Sequence, residues 1–362
     1  MLNPMATSAF SDQATVVQHL AALMPTSPLR GPEQLKDVVR RWHERHRVWH
    51  GPGHLMTLVD RIMASSPDDR ETLLLTALYH DAVYDPRRAD NEEASAELLR
   101  THAADAAHPV ISKAIALIIA SKWSAPPTTP LARRFWEWDC EQLAPDYPLS
   151  ARLAYERAVF KEYQWASWPV YRTKRREFLE HWAGLYPQHQ AGTEDCIELL
   201  RGLAPSVAIY PGSFNPFHLG HLSTLRQAEK VFDKVIIGLA VNRQKAGAEN
   251  TLTQRTADLQ DRLRFHEVVA IPGLLTGYLE ESDLPISVVR GVRDGTDLEA
   301  ELRYARFLNE LRPGTNAVWI GCEPELQHLS SNAIRELESI HPGAGQRYVP
   351  DTAQIYDLVP AE

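Results

Sequence analysis

The hydrophobic pattern of this chain changes near Pro205, and that change limits the fold more than any other feature of the sequence. Before Pro205, apolar residues recur at spacings of three or four, which is typical of amphipathic helices. After it, short apolar runs alternate with helical stretches, and this alternation predicts a parallel sheet with helices on both faces. We therefore expect a multidomain protein, with an all-α domain over residues 1–204 and an α/β domain over residues 205–362.

Short breaks containing Pro, Asp and Ser separate the predicted elements. In the first domain the predicted helices are Ala14–Met24, Pro32–Arg47, His54–Ser65, Arg70–His80, Glu92–His102, Val110–Ser121, Leu149–Tyr163 and Thr193–Leu203. In the second domain a helix is predicted over Leu219–Val231, and the predicted strands are Val207–Tyr210, Val235–Val241, Glu267–Ile271, Ile286–Val289 and Ala317–Ile320.

The composition excludes several classes of protein. The 362 residues are 44% hydrophobic and 23% charged, close to ordinary globular values, and the formal net charge is −9. Without a basic excess we expect no nucleic-acid partner. No apolar run approaches the ~20 residues of a membrane span, and the N-terminus lacks a signal-peptide pattern, so we expect no membrane partner. Three scattered cysteines suit a reducing, cytoplasmic location.

The most informative segment is Tyr210–His221, which follows the first predicted strand and leads into a helix. Ligands of open α/β sheets bind beyond the carboxyl ends of the strands, and Gly212 allows a tight turn there. His218 and His221 are three residues apart at the helix start, so their rings can lie on one face. Because a helix N-terminus favours anions and imidazoles can donate to phosphate oxygens, this segment predicts a phosphate-binding site.

Three segments carry a family resemblance in the second domain. Tyr210–His221 is similar to the HxGH signature of the nucleotidylyltransferase superfamily. Val289–Tyr304 resembles the arginine-rich segment of the phosphopantetheine adenylyltransferases, and Leu329–Arg335 resembles their serine-rich turn before a helix. The resemblance covers about residues 207–345 and implies a Rossmann-like fold. It also implies transfer of AMP from ATP, with Mg²⁺, to 4′-phosphopantetheine, giving dephospho-CoA and pyrophosphate.

The resemblance assigns roles to individual residues. By it, His218 and His221 stabilise the transferring phosphate, Lys245 and Arg290 contact the acceptor phosphate, and these four are the expected catalytic residues. The residues it implies for binding ATP or substrate are Ser213, Phe214, Arg293, Glu301, Ser330, Ser331 and Leu275. Other readings stay open: Arg293 pairs with Asp294 or Asp297, Glu301 is an ordinary solvated helix charge, Ser330 acts as a helix N-cap, and Leu275 is plain core.

Two departures bear on the acceptor. The family usually has Thr where His218 stands and Asp where Asn215 stands. His218 makes the motif more similar to that of the mononucleotide adenylyltransferases of NAD synthesis. Nicotinate or nicotinamide mononucleotide is therefore the alternative acceptor.

The helical domain contains a set of residues suited to a metal. His80–Asp81 ends an apolar helix, His50 and His54 lie upstream, and Asp139 lies downstream. Neutral imidazoles with carboxylates form a mixed nitrogen and oxygen set that suits a divalent transition metal, which would bind phosphate and activate water.

The stretch of about residues 30–200 resembles the HD phosphohydrolase superfamily, and more closely a branch of uncharacterised hydrolases. By that resemblance the ligands are His54, His80, Asp81 and Asp139. The residues it places nearby, with substrate or supporting roles, are His50, Asp85 and Glu93. The metal is open among Mn, Fe, Ni, Mg and Zn. The branch usually has His where Trp123 stands and Arg where Lys161 stands.

Together these resemblances imply a bifunctional enzyme that joins an adenylyltransferase to a metal-dependent hydrolase of phosphoesters or phosphoanhydrides. The expected partners are ATP, a small phosphorylated acceptor and, by the family resemblance, further copies of the chain. The alternatives are a degenerate HD domain kept as a scaffold, or a non-catalytic module that senses nucleotide or CoA.

Overall fold

The computed structural model describes residues 12–65, 68–240 and 248–359 of the chain. They divide into two compact units. The first, here called the helical unit, contains Met1–Glu162, Arg172–Arg201 and Asp357–Glu362. The second, here called the α/β unit, contains Tyr163–Tyr171 and Gly202–Tyr356. The domain boundary near residue 204 stays a prediction, and it falls between a helix that ends at Gly202 and a strand that begins at Val207.

The longer elements described before residue 203 are helices. They are α1 (Gln13–Leu23), α2 (Pro32–Trp42), α3 (Pro52–Ala64), α4 (Arg70–Tyr79), α5 (Asn91–His102), α6 (Pro109–Ala120), α7 (Pro130–Asp139), α8 (Leu149–Glu162), α9 (Trp168–Leu185) and α10 (Gln190–Gly202). Helix α4 is the central one, because every side chain from Thr72 to Tyr79 is buried. Its C-terminal end therefore carries His80 into the interior of the unit.

The structure corrects several predicted helix limits. Helix α2 ends at Trp42 rather than Arg47, where the His43 N–H bonds to the carbonyls of Arg40 and Arg41. Helix α3 begins at Pro52, because proline is well suited to the first turn of a helix. Sequence patterning missed α7 and α9 altogether, although both are regular helices.

The α/β unit is built on one parallel sheet, as the sequence predicts. Its strands are β1 (Val207–Gly212), β2 (Lys234–Ala240), β3 (Val268–Ile271), β4 (Ile286–Val292) and β5 (Ala317–Gly321), in the order β3-β2-β1-β4-β5. Its helices are α11 (Leu219–Ala228), α12 (Ala248–Arg262), α13 (Leu275–Glu280), α14 (Gly295–Leu311), α15 (Ser331–Ile340) and α16 (Thr352–Tyr356). This strand order matches a Rossmann-like domain. Strands β2 and β3 are added on one side of β1, and β4 and β5 on the other, so the strand order reverses between the parallel strands β1 and β4.

The amino ends of β2 and β3 hold the short segment Tyr163–Tyr171 in the α/β unit. The buried ammonium group of Lys234 donates to the carbonyls of Gln164 and Ala166, and the N–H of Glu267 donates to the Gln164 carbonyl at 3.1 Å. Burial lowers the pKa of Lys234, while its ion pair with Glu267 at 3.0 Å opposes that shift. The edge at which open α/β sheets bind ligands is the opposite, carboxyl one.

No helix within the described ranges has both the length and the apolar character needed to cross a membrane.

Candidate functional site

A cavity of about 340 Å³ lies at the carboxyl ends of β1 and β4, where the strand order reverses. The crevice at such a reversal is where open α/β sheets bind ligands. Nine of the predicted residues line it: Ser213, Phe214, His218, His221, Arg290, Arg293, Glu301, Ser330 and Ser331. Three segments separated by up to about a hundred residues of sequence therefore converge on one site.

The N-termini of α11 and α15 both contribute to the lining of this cavity. At α11 the backbone N–H of Gly220 donates to Nδ1 of His218, and the N–H of His218 donates to Nδ1 of His221, both at 3.2 Å. Since each Nδ1 accepts, each neutral ring carries its proton on Nε2. The two stacked rings, 3.6 Å apart between centroids, thus supply hydrogen-bond donors without being charged.

Both imidazoles are held neutral by their surroundings. Burial, followed by the nearby Arg293 guanidinium, lowers the pKa of His218 to about 4. Burial, His218 and Arg293 lower the pKa of His221 well below its usual value. At neutral pH the pair therefore acts through its Nε2–H groups.

Both arginines of the cavity are already paired with carboxylates. Arg290 makes two hydrogen bonds to Glu301, at 2.7 and 2.6 Å, and donates a third to the Pro211 carbonyl at 3.0 Å. Arg293 pairs with Asp297 through two bonds of 2.6 and 3.0 Å, which matches one of the open readings. Glu301 thus orients Arg290, a contact that its expected role in binding ATP or substrate did not anticipate.

The serines at α15 hold the turn that closes the cavity. Ser330 is the N-cap of α15 and accepts the Ala333 N–H at 3.1 Å, so its own hydroxyl proton stays available. Ser331 donates to the Pro216 carbonyl at 3.0 Å. The N-cap reading and the phosphate-binding reading of Ser330 are compatible in this geometry.

Gly212 matters for a different reason from the predicted one. A Cβ at this position would lie 2.8 Å from the ring of Phe214, so the missing side chain makes room for that ring. Phe214 itself has φ of +43°, a left-handed conformation that is unusual for a bulky residue. The left-handed backbone position after β1 is therefore occupied by Phe214.

One predicted residue lies away from the cavity, and another falls outside the described residues. Leu275 is buried in the apolar core with Val207, Ile209 and Ile236, which supports its core reading rather than substrate contact. Lys245 lies outside the described residues.

The helical unit brings together the four predicted metal ligands. Ligand atoms of His54, His80 and Asp81 lie within 4.8 Å of one another. Asp139 joins them, with Oδ1 at 3.1 Å from His54 Nε2 and 3.4 Å from His80 Nε2. These residues come from α3, from the end of α4 and from the end of α7.

The geometry around His80 calls for a cation. Its Nδ1 donates to the Ala77 carbonyl at 3.0 Å, so in the neutral ring Nε2 bears a lone pair. That buried nitrogen has no hydrogen-bond partner among the described residues, yet it lies 3.0 Å from an oxygen of Asp81. Since lone pairs repel, a proton or a metal must lie among these atoms, and the imidazole and carboxylate donors fit a divalent transition metal.

The pKa shifts of this cluster agree with that conclusion. Burial alone would lower the pKa of His80, but Asp81 and Asp139 outweigh it and raise the pKa well above its usual value. Burial would raise the pKa of both carboxyls, but His80 in turn lowers them.

Sequence reasoning assigned no role to Glu162, which supports His50. One oxygen of this buried carboxylate accepts the backbone N–H groups of Val48, Trp49 and His50 at 2.7 to 2.8 Å. The other oxygen accepts from Tyr84 and lies 2.6 Å from Nδ1 of His50. No local pattern could reveal this, because Glu162 lies 112 residues from His50.

The remaining predicted auxiliary residues have other contacts. Asp85 accepts the Arg87 N–H at 2.9 Å, and its own N–H donates to Asn91. Glu93 is half-exposed and pairs with Lys122 at 2.8 Å. The Asp85 contacts hold the turn before α5, and the Glu93 pair links α5 to Lys122, which follows the end of α6. A role in catalysis stays a prediction for each.

Comparison with known proteins adds family information for the α/β unit. A family described as cytidylyltransferase-like matches residues 209–337. A phosphopantetheine adenylyltransferase of Clostridium botulinum (strain Eklund 17B / Type B) is 33% identical over 135 residues, which cover 36% of this chain and 83% of the relative. One of Clostridium tetani (strain Massachusetts / E88) is 30% identical over 152 residues, covering 40% of this chain and 91% of the relative.

Proposed function

Through its α/β unit the chain belongs to the phosphopantetheine adenylyltransferase family, and from this premise we propose that it transfers the adenylyl group of ATP to 4′-phosphopantetheine. A phosphate oxygen of the acceptor attacks the α-phosphorus of ATP, which enters as its magnesium complex. The bond to the β-phosphate oxygen breaks, and dephospho-CoA and pyrophosphate leave. Such a reaction needs positioning and charge stabilisation rather than a covalent nucleophile.

The residues of the cavity fit these needs. The Nε2–H groups of His218 and His221 would donate to oxygens of the transferring phosphate, where negative charge builds up. The N-terminus of α15, with the Ser330 hydroxyl, would hold the β- and γ-phosphates. Arg290, fixed by Glu301, would hold the acceptor phosphate with its planar guanidinium. The main support for the proposal is that these groups meet in one cavity at the carboxyl ends of β1 and β4.

Pyrophosphate release tests it. The full chain is mixed with Mg²⁺-ATP and, in parallel, with 4′-phosphopantetheine, nicotinamide mononucleotide or nicotinate mononucleotide. We expect turnover with 4′-phosphopantetheine and formation of dephospho-CoA. Turnover with a mononucleotide alone would replace the acceptor and keep the reaction type. Tight binding of ATP without turnover of any acceptor would favour a sensing module instead.

For the helical unit we propose metal-dependent hydrolysis of a phosphoester or phosphoanhydride. The buried Nε2 of His80 and the two carboxylates facing it support this proposal. When bound, a divalent metal would supply a Lewis acid for phosphate and a more acidic water molecule. His54, His80, Asp81 and Asp139 would hold it.

Metal binding and hydrolysis test this second proposal together. The full chain is titrated with Mn²⁺ and then assayed with p-nitrophenyl phosphate and with nucleotides. Asp139→Asn should abolish both Mn²⁺ binding and hydrolysis, whereas Asp60→Asn, an exposed change on α3, should leave both unchanged. A wild-type chain that binds no divalent metal would favour a degenerate scaffold.

A further inference from the structure

Trp123 has an unusual backbone at the edge of the metal-ligand cluster. Its φ is +47°, in the left-handed region that bulky side chains rarely adopt, and the residue is buried. Its N–H bonds to the Ala120 carbonyl at 3.0 Å, which closes the end of α6. The hydroxyl of Tyr186 donates to the carbonyls of Trp123 and Ala125, at 3.1 and 2.9 Å. The turn is thus braced on both sides of this side chain.

The indole of Trp123 points at a ligand of the cluster. Its Nε1–H donates to Oδ2 of Asp139 at 2.7 Å. The other oxygen, Oδ1, faces His54 and His80. The two oxygens of Asp139 therefore have separate partners, one a neutral indole and the other the pair of imidazoles.

From this division we propose that Trp123 is a positioning residue that makes Asp139 a one-oxygen ligand and limits the cluster to a single divalent cation. The proposal rests on the metal binding proposed above for the helical unit. An indole N–H only donates, so Trp123 cannot itself ligate a metal. While it occupies Oδ2, that oxygen can neither chelate the same cation nor bind a second one.

A second tryptophan shows that this contact is not a general result of burial. Trp136 lies on α7, the helix that ends at Asp139, and it is also buried. Its Nε1 has no hydrogen-bond partner within the described residues, and its ring stacks on Tyr186 and His189. Trp136→Phe is therefore a matched control: it makes the same Trp-to-Phe change on the helix that carries Asp139 and removes no hydrogen bond to that carboxylate.

The experiment measures the stoichiometry and the dissociation constant of Mn²⁺ for the full chain, by isothermal titration and electron paramagnetic resonance. Wild type should bind one equivalent in the helical unit, counted in the absence of nucleotide because ATP itself binds Mn²⁺. Trp123→Phe keeps the ring but removes the donor and should weaken Mn²⁺ about 10- to 100-fold, since partners of metal ligands typically contribute that much affinity. Trp136→Phe should change affinity less than about twofold.

Tyr186→Phe gives an independent route if Trp123→Phe does not fold. It removes the hydroxyl that braces the Trp123 carbonyl and keeps the ring, so it should weaken Mn²⁺ in the same direction by a smaller factor.

Each other outcome has one meaning. Unchanged affinity in a folded Trp123→Phe chain, or in Tyr186→Phe when only that variant folds, overturns the proposal. An equal loss in Trp136→Phe also overturns it, because general packing would then explain the effect. Two equivalents in wild type overturn the limit to one cation. No binding by wild type instead overturns the metal function on which the proposal rests.

Discussion

The two candidate sites of this molecule differ in their chemistry: one offers hydrogen-bond donors and the other offers acceptors. The cavity of the α/β unit is made of strand ends, two helix N-termini and neutral imidazoles, a set of donors suited to an anion. The cluster of the helical unit is made of two buried imidazoles and two partly buried carboxylates at or near three helices, a set of acceptors suited to a cation. Loss of one donor side chain from the α/β cavity should therefore mainly reduce activity. Loss of a buried side chain that supports the helical cluster should also lower the free energy of unfolding of the helical unit.

The largest expected effect tests the first half of this comparison. His218→Ala removes an Nε2–H donor aimed at the developing charge and should lower kcat for adenylyl transfer by about 10²- to 10³-fold, as loss of one such donor does in other enzymes. Pyrophosphate release from the full chain measures it, with the exposed His341→Ala as the control. Activity within threefold of wild type would remove His218 from the mechanism.

Glu162→Gln tests whether the buried supports of the helical cluster stabilise the helical unit. The carboxylate accepts three backbone N–H groups and the hydroxyl of Tyr84, and it pairs with His50. Loss of a buried charge with such partners should lower the free energy of unfolding of the helical unit by about 3 kcal/mol. Urea unfolding followed by fluorescence measures this. The exposed Glu177→Gln, which breaks a surface pair with Lys174, should cost less than about 0.5 kcal/mol. Equal losses in both variants would contradict the comparison.

Sequence patterning predicted the α/β unit better than the helical unit, and physical reasons explain the difference. Apolar runs such as Ile286–Val289 mark buried parallel strands directly, and strand topology then brings the ends of β1 and β4 together. The convergence of His218, Arg290 and Ser330 could thus be expected from three local motifs. The partner of Arg290 could not be expected from those motifs, because its contact with Glu301 depends on how α14 packs beside β4.

In the helical unit the ligand set was predicted only through a family resemblance. The contacts that support it join residues far apart in sequence, such as His54 with Asp139, 85 residues away. Helical periodicity predicts which face of a helix is buried but not which helices meet. Helix α9 was missed because polar and aromatic residues such as Arg175 and Trp182 interrupt its apolar pattern, and both are nevertheless buried or half-buried against the unit.

The pH dependence of stability tests whether His218 of the α/β cavity is held neutral. The pKa of His218 is lowered from 6.5 to about 4, so the folded chain resists protonation that the unfolded chain accepts. The lowered pKa costs no stability above pH 6.5, and the cost grows as pH falls from 6.5 toward 4, because the unfolded chain then binds the proton more readily. Between pH 7 and pH 5 the free energy of unfolding of the α/β unit should fall in wild type. In His218→Gln that fall should be smaller by about 2 kcal/mol, because Gln does not titrate. Urea unfolding at the two pH values measures it. An unchanged pH dependence in the variant would mean that His218 is not held neutral.

The smallest expected effect separates two roles of Ser330. Ser330→Ala removes the N-cap of α15 and should cost about 1 kcal/mol of stability, whereas Ser330→Asp keeps a cap of similar strength. If α15 also holds phosphates, the added carboxylate repels them, so Ser330→Asp should raise KM for ATP several-fold while its Tm stays near wild type. A Ser330→Asp chain with normal KM and normal Tm would leave Ser330 with the capping role alone. It would also show that the anion site depends on the imidazoles and α11 rather than on both helix ends.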